Sequence, residues 1–193
     1  MPLASEEVSS TTPTAFADLG VPDDIDAGLA AAGFSAPFAI QTEAIPVALK
    51  GHDVCGRART GSGKTLAFGI PTLARIERNA APRKPHGLVL VPTRELALQV
   101  AEVLAPIATH CGMRVLPVYG GASRDKQIDE LERGVDLVVA TPLRLIDLMK
   151  AGEVSLDKIS VITLDEADRM ADEGFTPQVE WILRHITAPH QTM

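Results

Sequence analysis

Residues 58–65 carry the clearest chemical pattern in the chain. Ala58-Arg59-Thr60-Gly61-Ser62-Gly63-Lys64-Thr65 combines two glycines with a lysine and a hydroxyl, and an apolar stretch over 66–76 follows. Glycines let successive backbone N–H groups turn toward an anion, and a helix beginning here adds its positive end. The spacing predicts a phosphate-binding loop, with Lys64 on the β- and γ-phosphates and Thr65 on Mg²⁺. The alternative is a glycine-rich turn that happens to precede Lys-Thr.

A second pattern is acidic and follows an apolar run. Ile159–Leu164 leads directly into Asp165-Glu166-Ala167-Asp168. A phosphate-binding loop needs a carboxylate opposite its lysine, because Mg²⁺ requires a second protein oxygen, and Asp165 is predicted to supply it. Glu166 is then placed to orient or deprotonate an attacking water, and Asp168 to face whatever closes the site. An ordinary acidic loop that caps the next helix is the alternative.

The elements that must position these residues alternate along the chain. Amphipathic segments at 95–108 and 125–132 lie between short apolar runs. Five runs are predicted to be strands: Asp53–Gly56, Gly87–Val91, Arg114–Tyr119, Val135–Ala140 and Ile159–Leu164. Alternation of this kind indicates βαβ units and an α/β fold with a parallel sheet. Ligands of such sheets bind at the carboxyl ends of the strands, where both patterns fall.

The first fifty residues divide into two parts. Residues 1–14 are rich in Ser, Thr and Pro, and we expect a flexible leader. Residues 15–193 are expected to form one domain with a helical N-terminal segment. In that segment Asp23 or Asp24 can cap a helix that Gly33 ends, and Pro37 precedes a second helix.

Composition narrows the function classes. The 193 residues are 46% apolar and 22% charged, as in an ordinary globular domain, and the net charge of −7 argues against broad attraction to a phosphate backbone. Cys55 and Cys111 lack neighbours at metal-ligand spacing. The N-terminus lacks a signal-peptide pattern, and no apolar run approaches the ~20 residues that span a bilayer. A cytoplasmic protein without membrane contact is predicted.

Asp165-Glu166-Ala167-Asp168 spells the name of the DEAD-box RNA helicases, which the chain resembles from about Phe16 to its last residue. The resemblance implies a RecA-like domain: an α/β phosphate-loop fold with a mostly parallel sheet and helices on both faces. It also implies that the cofactors are ATP and Mg²⁺, that ADP binds at the same site, and that the catalytic residues are Lys64, Asp165, Glu166 and Asp168.

Residues 33–41, Gly33-Phe34-Ser35-Ala36-Pro37-Phe38-Ala39-Ile40-Gln41, resemble the Q motif of this family. The resemblance implies that Gln41 binds the adenine edge while Phe34 stacks on its face. A Gln amide can accept from N6 and donate to N7, which favours ATP over GTP. Phe16, seventeen residues before Gly33, matches an accompanying aromatic of the motif, with a simple core phenylalanine as the alternative. The family usually has Pro-Thr-Pro-Ile-Gln where this chain has Pro37-Phe38-Ala39-Ile40-Gln41.

Three further segments resemble RNA-contacting motifs of the family, and each follows a predicted strand. They are Pro92-Thr93-Arg94-Glu95-Leu96-Ala97, Gly120-Gly121 and Thr141-Pro142-Leu143-Arg144. Arg94 and Arg144 can pair with phosphates, and the threonines offer hydroxyls. The family has Gly where Leu143 stands. Each segment alone is also a good turn or helix start. Because the chain has few aromatic residues for base stacking, single-stranded or duplex RNA is predicted to bind through the sugar-phosphate backbone of the RNA.

The resemblance also implies a partner that these residues do not supply. In the family a second RecA-like domain contributes arginines to the γ-phosphate and half of the RNA groove. We therefore expect this domain alone to bind ADP or Mg-ATP, to contact RNA weakly and to turn over little. The alternatives are a DNA helicase or translocase motor, against which the Gln41 segment speaks, and a non-catalytic nucleotide-dependent binding module. Intact Lys64, Thr65, Asp165 and Glu166 argue against that module.

Overall fold

The computed structural model describes residues 15–59 and 61–193. The predicted flexible leader, residues 1–14, and the predicted loop residue Thr60 lie outside the described residues. No helix within the described ranges combines the length and the apolar character that crossing a membrane requires.

A parallel five-stranded sheet forms the centre of the domain. Its strands are β1 (Gly87–Leu90), β2 (Val115–Val118), β3 (Leu137–Ala140), β4 (Val161–Leu164) and β5 (Gln191–Thr192), in the order β2-β3-β1-β4-β5. In the centre, Leu88 lies in register with Val138 on one side and Ile162 on the other. Every residue of β1 and β3 is buried, which explains their unbroken apolar sequences.

Eight α-helices surround this sheet. They are α1 (Asp23–Ala31), α2 (Ala39–Leu49), α3 (Lys64–Arg75), α4 (Arg94–His110), α5 (Arg124–Glu132), α6 (Pro142–Lys150), α7 (Ala167–Asp172) and α8 (Thr176–Leu183), among the described residues. The predicted helical stretches at 66–76, 95–108 and 125–132 correspond to α3, α4 and α5.

Side chains that alternate along β1 enter two separate cores. Val89 packs with apolar residues of α1 to α4, whereas Leu88 and Leu90 pack with residues of α5 to α8. Because strand side chains alternate between the two faces, both faces of the sheet are covered by helices. The α/β class with helices on both faces is therefore confirmed.

The N-terminal segment is helical, as predicted, but its first helix begins differently. A short 3₁₀ turn, Ala17–Leu19, precedes α1, and Pro22 occupies the N-cap without a side-chain cap. Asp23 and Asp24 lie inside the first turn, where their charges still favour the helix N-terminus. Gly33 adopts a φ of +87°, so the predicted helix stop after α1 is confirmed.

The predicted strand Asp53–Gly56 is wrong. These residues are extended beside β5 but form no strand. Val54 N donates to Thr192 O at 3.1 Å, and the Asp53 carboxylate accepts from Thr192 N at 2.8 Å. Since β5 is two residues long, it offers too short a ladder for a regular strand alongside it. The phosphate-binding loop is thus preceded by extended coil rather than by a strand.

Candidate functional site

A cavity of about 490 Å³ opens at the carboxyl end of β4. Its walls come from the first half of α3, from one face of α2 and from the extended segment 54–58. Ala58 and Lys64 line it together with Asp165, Glu166 and Asp168. The fold therefore brings the phosphate-binding loop and the acidic pattern, which are far apart in the chain, to one concave site.

The loop that precedes α3 has the backbone geometry of an anion cradle. Gly61 and Gly63 adopt positive φ angles of 80° and 85°, which L-residues with a Cβ adopt at a cost. Helix α3 starts at Lys64, with Gly63 at an N-cap that has no side-chain hydrogen bond. The first turn of a helix leaves N–H groups without intrahelical partners. These groups and the helix dipole favour an anion at Gly63–Thr65.

Ser62, between the two glycines, has a buried hydroxyl oxygen that lacks a hydrogen-bond partner among the described residues. A buried polar atom without a partner is costly, and native structures retain few of them. Ser62 therefore fits a loop whose hydrogen bonds a ligand completes. Arg59 and Thr65 are the other side chains in this loop; Arg59 is exposed and Thr65 half-buried.

The acidic pattern lies at the carboxyl end of β4. Asp165 is half-buried: its N–H donates to Leu90 O at 3.0 Å, and its carboxylate accepts from Glu166 N at 3.1 Å. Burial raises the pKa of the Asp165 carboxyl; the Lys64 ammonium lowers that pKa and the Glu166 charge raises it further. Lys64 and Asp165 are therefore close enough to interact across the cavity.

Glu166 is held in a strained conformation. Its φ of +53° lies in the left-handed region, at the N-cap of α7. The Glu166 carboxylate forms a salt bridge of 3.2 Å with Arg169, which also pairs with Glu173 at 2.7 Å. Asp168 is exposed, and its carboxylate accepts from Arg169 N at 2.9 Å. Arg169 was not predicted from the sequence, although it follows the acidic quartet directly.

Gln41 is buried behind the loop rather than on the cavity wall. Its Oε1 accepts from Phe38 N at 2.8 Å, and its Nε2 donates to Gly63 O at 2.9 Å. A Cβ added to Gly63 would lie 2.4 Å from Gln41 Nε2. The side chain thus joins α2 to the phosphate-binding loop, and its predicted contact with an adenine edge stays a prediction.

The two candidate aromatic residues, Phe16 and Phe34, and a third, Phe38, occupy different environments. Phe16 is 2% exposed and belongs to the core under α1 and α4, while Phe34 is partly buried against the same core. Phe38 is 58% exposed, and its ring would be 2.5 Å from a Cβ at Gly63. Sequence reasoning missed Phe38; its signal was the departure from the family's Pro-Thr-Pro pattern. The predicted stacking of Phe34 on a base is not tested by this arrangement.

The three segments predicted to contact RNA converge at the opposite half of the same sheet edge. They follow β1, β2 and β3, and backbone hydrogen bonds at the ends of these strands hold their starting points together: Val91 N to Ala140 O at 3.0 Å and Thr141 N to Val118 O at 2.9 Å. We call residues 92–94, 119–122 and 141–144 the basic edge. Pro92 and Pro142 are buried within it, and Gly120 and Gly121 are exposed.

Side chains of the basic edge are already held in place. The Thr93 hydroxyl caps α4 by accepting from Leu96 N at 3.3 Å. The Arg94 guanidinium lies over the Tyr119 ring, 5.5 Å from its centroid. Arg144 Nη1 donates to Ala122 O at 3.3 Å and to Gln127 Oε1 at 3.2 Å. Neither arginine forms a salt bridge with any residue in the described ranges, so both charges are available to an anion.

Groups of three or more His, Cys, Asp or Glu side chains that could hold a metal ion do not occur within residues 15–59 and 61–193. Of the two predicted Mg²⁺ ligands, Asp165 lines the cavity, and Thr65 is half-buried in the first turn of α3.

Comparison with known proteins identifies relatives over most of the chain. The DEAD/DEAH box helicase family model matches residues 38–193. DEAD-box ATP-dependent RNA helicase 20 of Arabidopsis thaliana is 41% identical over 183 residues, covering 92% of this chain and 36% of that protein. ATP-dependent RNA helicase DeaD of Klebsiella pneumoniae is 47% identical over 180 residues, covering 93% of this chain and 28% of that protein. The chain thus spans about a third of the length of the curated relatives it matches.

Proposed function

Because this chain belongs to the DEAD/DEAH box helicase family, we propose that residues 15–193 are the nucleotide-binding RecA-like half of an ATP-dependent RNA helicase core. The parent protein would unwind short RNA duplexes or remodel RNA–protein complexes. The observation that carries the proposal is the cavity in which Lys64 faces Asp165 and Glu166, at the sheet edge that also carries the basic edge. Cation, carboxylate pair and phosphate cradle are the parts that phosphoryl transfer requires.

In this proposal the phosphate-binding loop holds ATP or ADP. Backbone N–H groups from Gly61 to Thr65 and the positive end of α3 would bind phosphate oxygens, and Lys64 would bind the β- and γ-phosphates. Glu166 would orient the attacking water and accept its proton, after its carboxylate leaves Arg169. Asp168 would face the surface that closes the site. Phosphoryl transfer needs little more from this half than positioning and charge.

The residues present fit Mg²⁺. This ion takes oxygen ligands and retains waters and substrate oxygens, so one or two protein donors suffice. Asp165 and Thr65 would hold it, and the half-buried Asp165 carboxylate, whose pKa is raised by burial, would be stabilised in its charged form by a nearby cation. When bound, the ion would neutralise charge on the phosphates.

RNA would bind along the basic edge through its sugar-phosphate backbone. Arg94 and Arg144 lack salt-bridge partners in the part of the chain that the structure describes, and exposed Gly120 and Gly121 allow close approach of a strand. Contacts of this kind fix position without reading sequence. The net charge of −7 confines the attraction to this local patch.

A second RecA-like domain is the proposed partner that completes both sites. Arginines supplied from such a partner are worth on the order of 10³ to 10⁵ in rate, so this half alone is expected to bind nucleotide with little turnover. Closure of two domains on ATP and RNA would bend one strand, and hydrolysis would reopen the cleft.

Nucleotide binding tests the proposal directly. Titration of this chain with a fluorescent ADP analogue in the presence of Mg²⁺ should give saturable binding that ATP displaces. Lys64→Ala should weaken that binding by about tenfold or more, since hydrogen bonds to charged groups contribute roughly 1.5–3 kcal/mol. Lys50→Ala, at the exposed C-cap of α2, is the matched control and should bind like wild type. Equal affinity in the wild-type and Lys64→Ala chains would contradict the proposed site.

A further inference from the structure

A buried glutamine on α5 connects parts of the basic edge that are distant in the chain. Gln127 is 5% exposed, although its neighbours Arg124, Asp125 and Lys126 are exposed. With Leu131 one turn later, it forms the face of α5 that turns inward. A polar side chain is buried at a cost unless its hydrogen bonds are satisfied, so its contacts indicate what it does there.

Both ends of the Gln127 amide bind residues of the basic edge. Its Nε2 donates to Tyr119 O at 3.1 Å, at the point where β2 leads into the two glycines. Its Oε1 accepts from Arg144 Nη1 at 3.2 Å, at the start of α6. One side chain therefore fixes the distance between the segment after β2 and the segment after β3.

The third segment is reached through the aromatic ring of Tyr119. Arg94 lies over that ring, and a Cβ at Gly121 would be 3.7 Å from Arg94 Nη1. Holding the Tyr119 backbone therefore also limits where the Arg94 guanidinium can lie. Gln127 is thus linked to both arginines of the basic edge while it contacts one of them.

The neutrality of Gln127 matters for an anion-binding surface. Arg144 has five N–H donors, and the two contacts that hold it both involve Nη1. Its partners are a carbonyl and an amide oxygen, so these two contacts orient the guanidinium without neutralising its positive charge. A carboxylate at position 127 would pair with that charge and compete with a phosphate.

We propose that Gln127 is a positioning residue for nucleic-acid binding: it orients Arg144 and the Tyr119–Gly121 segment so that both meet the same phosphate backbone. This inference rests on the proposed function, because it assumes that the basic edge binds RNA. Gln127 itself lies beneath the surface and acts through Arg144 and Tyr119.

The test is a set of binding measurements with a short fluorescein-labelled oligouridylate at low ionic strength. The variants are Gln127→Met, which retains volume but loses both hydrogen bonds, Gln127→Glu, Arg144→Ala and the double variant Gln127→Met/Arg144→Ala. Gln99→Met, at an exposed position of α4, is the matched control. Binding of the fluorescent ADP analogue is measured in parallel for every chain, to separate positioning from a general loss of structure.

If Gln127 positions Arg144, Gln127→Met should weaken oligouridylate binding by about three- to tenfold and Arg144→Ala by about tenfold. The double variant should bind more weakly than Arg144→Ala alone but by less than the full Gln127→Met effect, because Gln127 acts partly through Arg144 and partly through Tyr119, and the effects of contacting residues are not additive. Gln127→Glu should bind more weakly than Gln127→Met. In the variants at positions 127 and 144, the slope of log affinity against log salt concentration should also become shallower by about the amount that one phosphate contact contributes. ADP binding should stay unchanged throughout.

Two results would overturn the inference, and they differ. If Arg144→Ala weakens oligouridylate binding and Gln127→Met does not, or if the two effects simply add, Gln127 has no positioning role while the basic edge still binds RNA. If Arg144→Ala does not change binding, or if the wild-type chain binds no oligouridylate, the proposed RNA function of this edge fails and the role of Gln127 fails with it. Parallel loss of ADP binding in Gln127→Met would mark a structural role and would equally contradict the inference.

Discussion

The cavity and the basic edge lie on one sheet edge but differ in how complete they are. At the cavity and its phosphate-binding loop, the Ser62 hydroxyl lacks a partner among the described residues, Glu166 is strained and burial raises the pKa of Asp165. At the basic edge, Thr93, Arg94 and Arg144 are already held by neighbours. The cavity therefore has unfavourable interactions that a bound ligand would relieve, whereas the side chains of the basic edge are already held in position without a ligand. Removing a charged side chain should therefore raise the stability of the ligand-free chain at the cavity and lower it at the basic edge.

The largest effect is expected at Gly63. Gly63→Ala places a Cβ at a φ of +85° and 2.4 Å from Gln41 Nε2, so the loop and α2 must separate. A left-handed alanine costs roughly 1–2 kcal/mol before any displacement is counted. Affinity for the fluorescent ADP analogue should fall by more than tenfold, and the melting temperature should fall as well.

Gly61→Ala is the control for that experiment. Gly61 has a similar φ of +80°, but a Cβ there would meet no atom of the described residues within 4 Å. The loss of ADP-analogue affinity in Gly61→Ala should therefore reflect backbone strain alone and be clearly smaller than the loss in Gly63→Ala. Equal effects of the two substitutions would mean that the contact with Gln41 does not hold the loop.

Asp165→Asn should separate stability from binding. Burial raises the pKa of Asp165, so the folded state binds a proton at this carboxylate more tightly than the unfolded state does. The contribution of Asp165 to stability therefore falls as the pH rises from the ordinary carboxyl range through the raised pKa. Removing the charge should raise the melting temperature of the ligand-free chain near pH 7, with a smaller gain below about pH 4. Binding of Mg²⁺ and nucleotide should weaken.

At the basic edge the matching substitution should not stabilise. Arg144→Ala removes two hydrogen bonds and leaves Gln127 Oε1 without its partner, so the melting temperature should fall slightly while RNA binding weakens. If Arg144→Ala raised the melting temperature as Asp165→Asn does, the contrast between a strained cavity and a satisfied edge would be wrong. Thermal melts at two pH values would decide this.

The smallest effect is expected at Leu143, where the family has glycine. The side chain is 55% exposed in the first turn of α6, so it contributes little to the core. Leu143→Gly should cost at most about 1 kcal/mol of stability through helix propensity. RNA affinity should change by less than about threefold, measured by the oligouridylate titration. A larger gain would indicate that Leu143 obstructs the strand.

Patterns of local origin were predictable from the sequence. The parallel sheet and the position of Asp165–Asp168 follow from apolar runs and the residues directly after them, and β1 to β4 confirm four of the five predicted strands. The fifth, Asp53–Gly56, was wrong because its regularity depends on hydrogen bonds to a strand far along the chain. The residues of this segment do not by themselves indicate that distant strand.

Features that depend on tertiary contact could not be predicted. Gln127 looks like any polar residue of an exposed helix, and its burial appears only when α5 packs beside β2 and α6. Likewise, the exposure of Phe38 beside Gly63 and the packing of Phe34 against the core depend on contacts with residues far along the chain. The roles assigned to the site residues themselves stay predictions.

ATP hydrolysis by this chain, with and without single-stranded RNA, tests the central claim that this domain holds one half of each site. Wild type, Lys64→Ala and Glu166→Gln should be compared after their folding is confirmed. The account predicts a flat baseline in all three that RNA does not raise, although wild type and Glu166→Gln still bind the ADP analogue. RNA-stimulated turnover that either substitution abolishes would contradict it, because the domain would then form a working site without a second one.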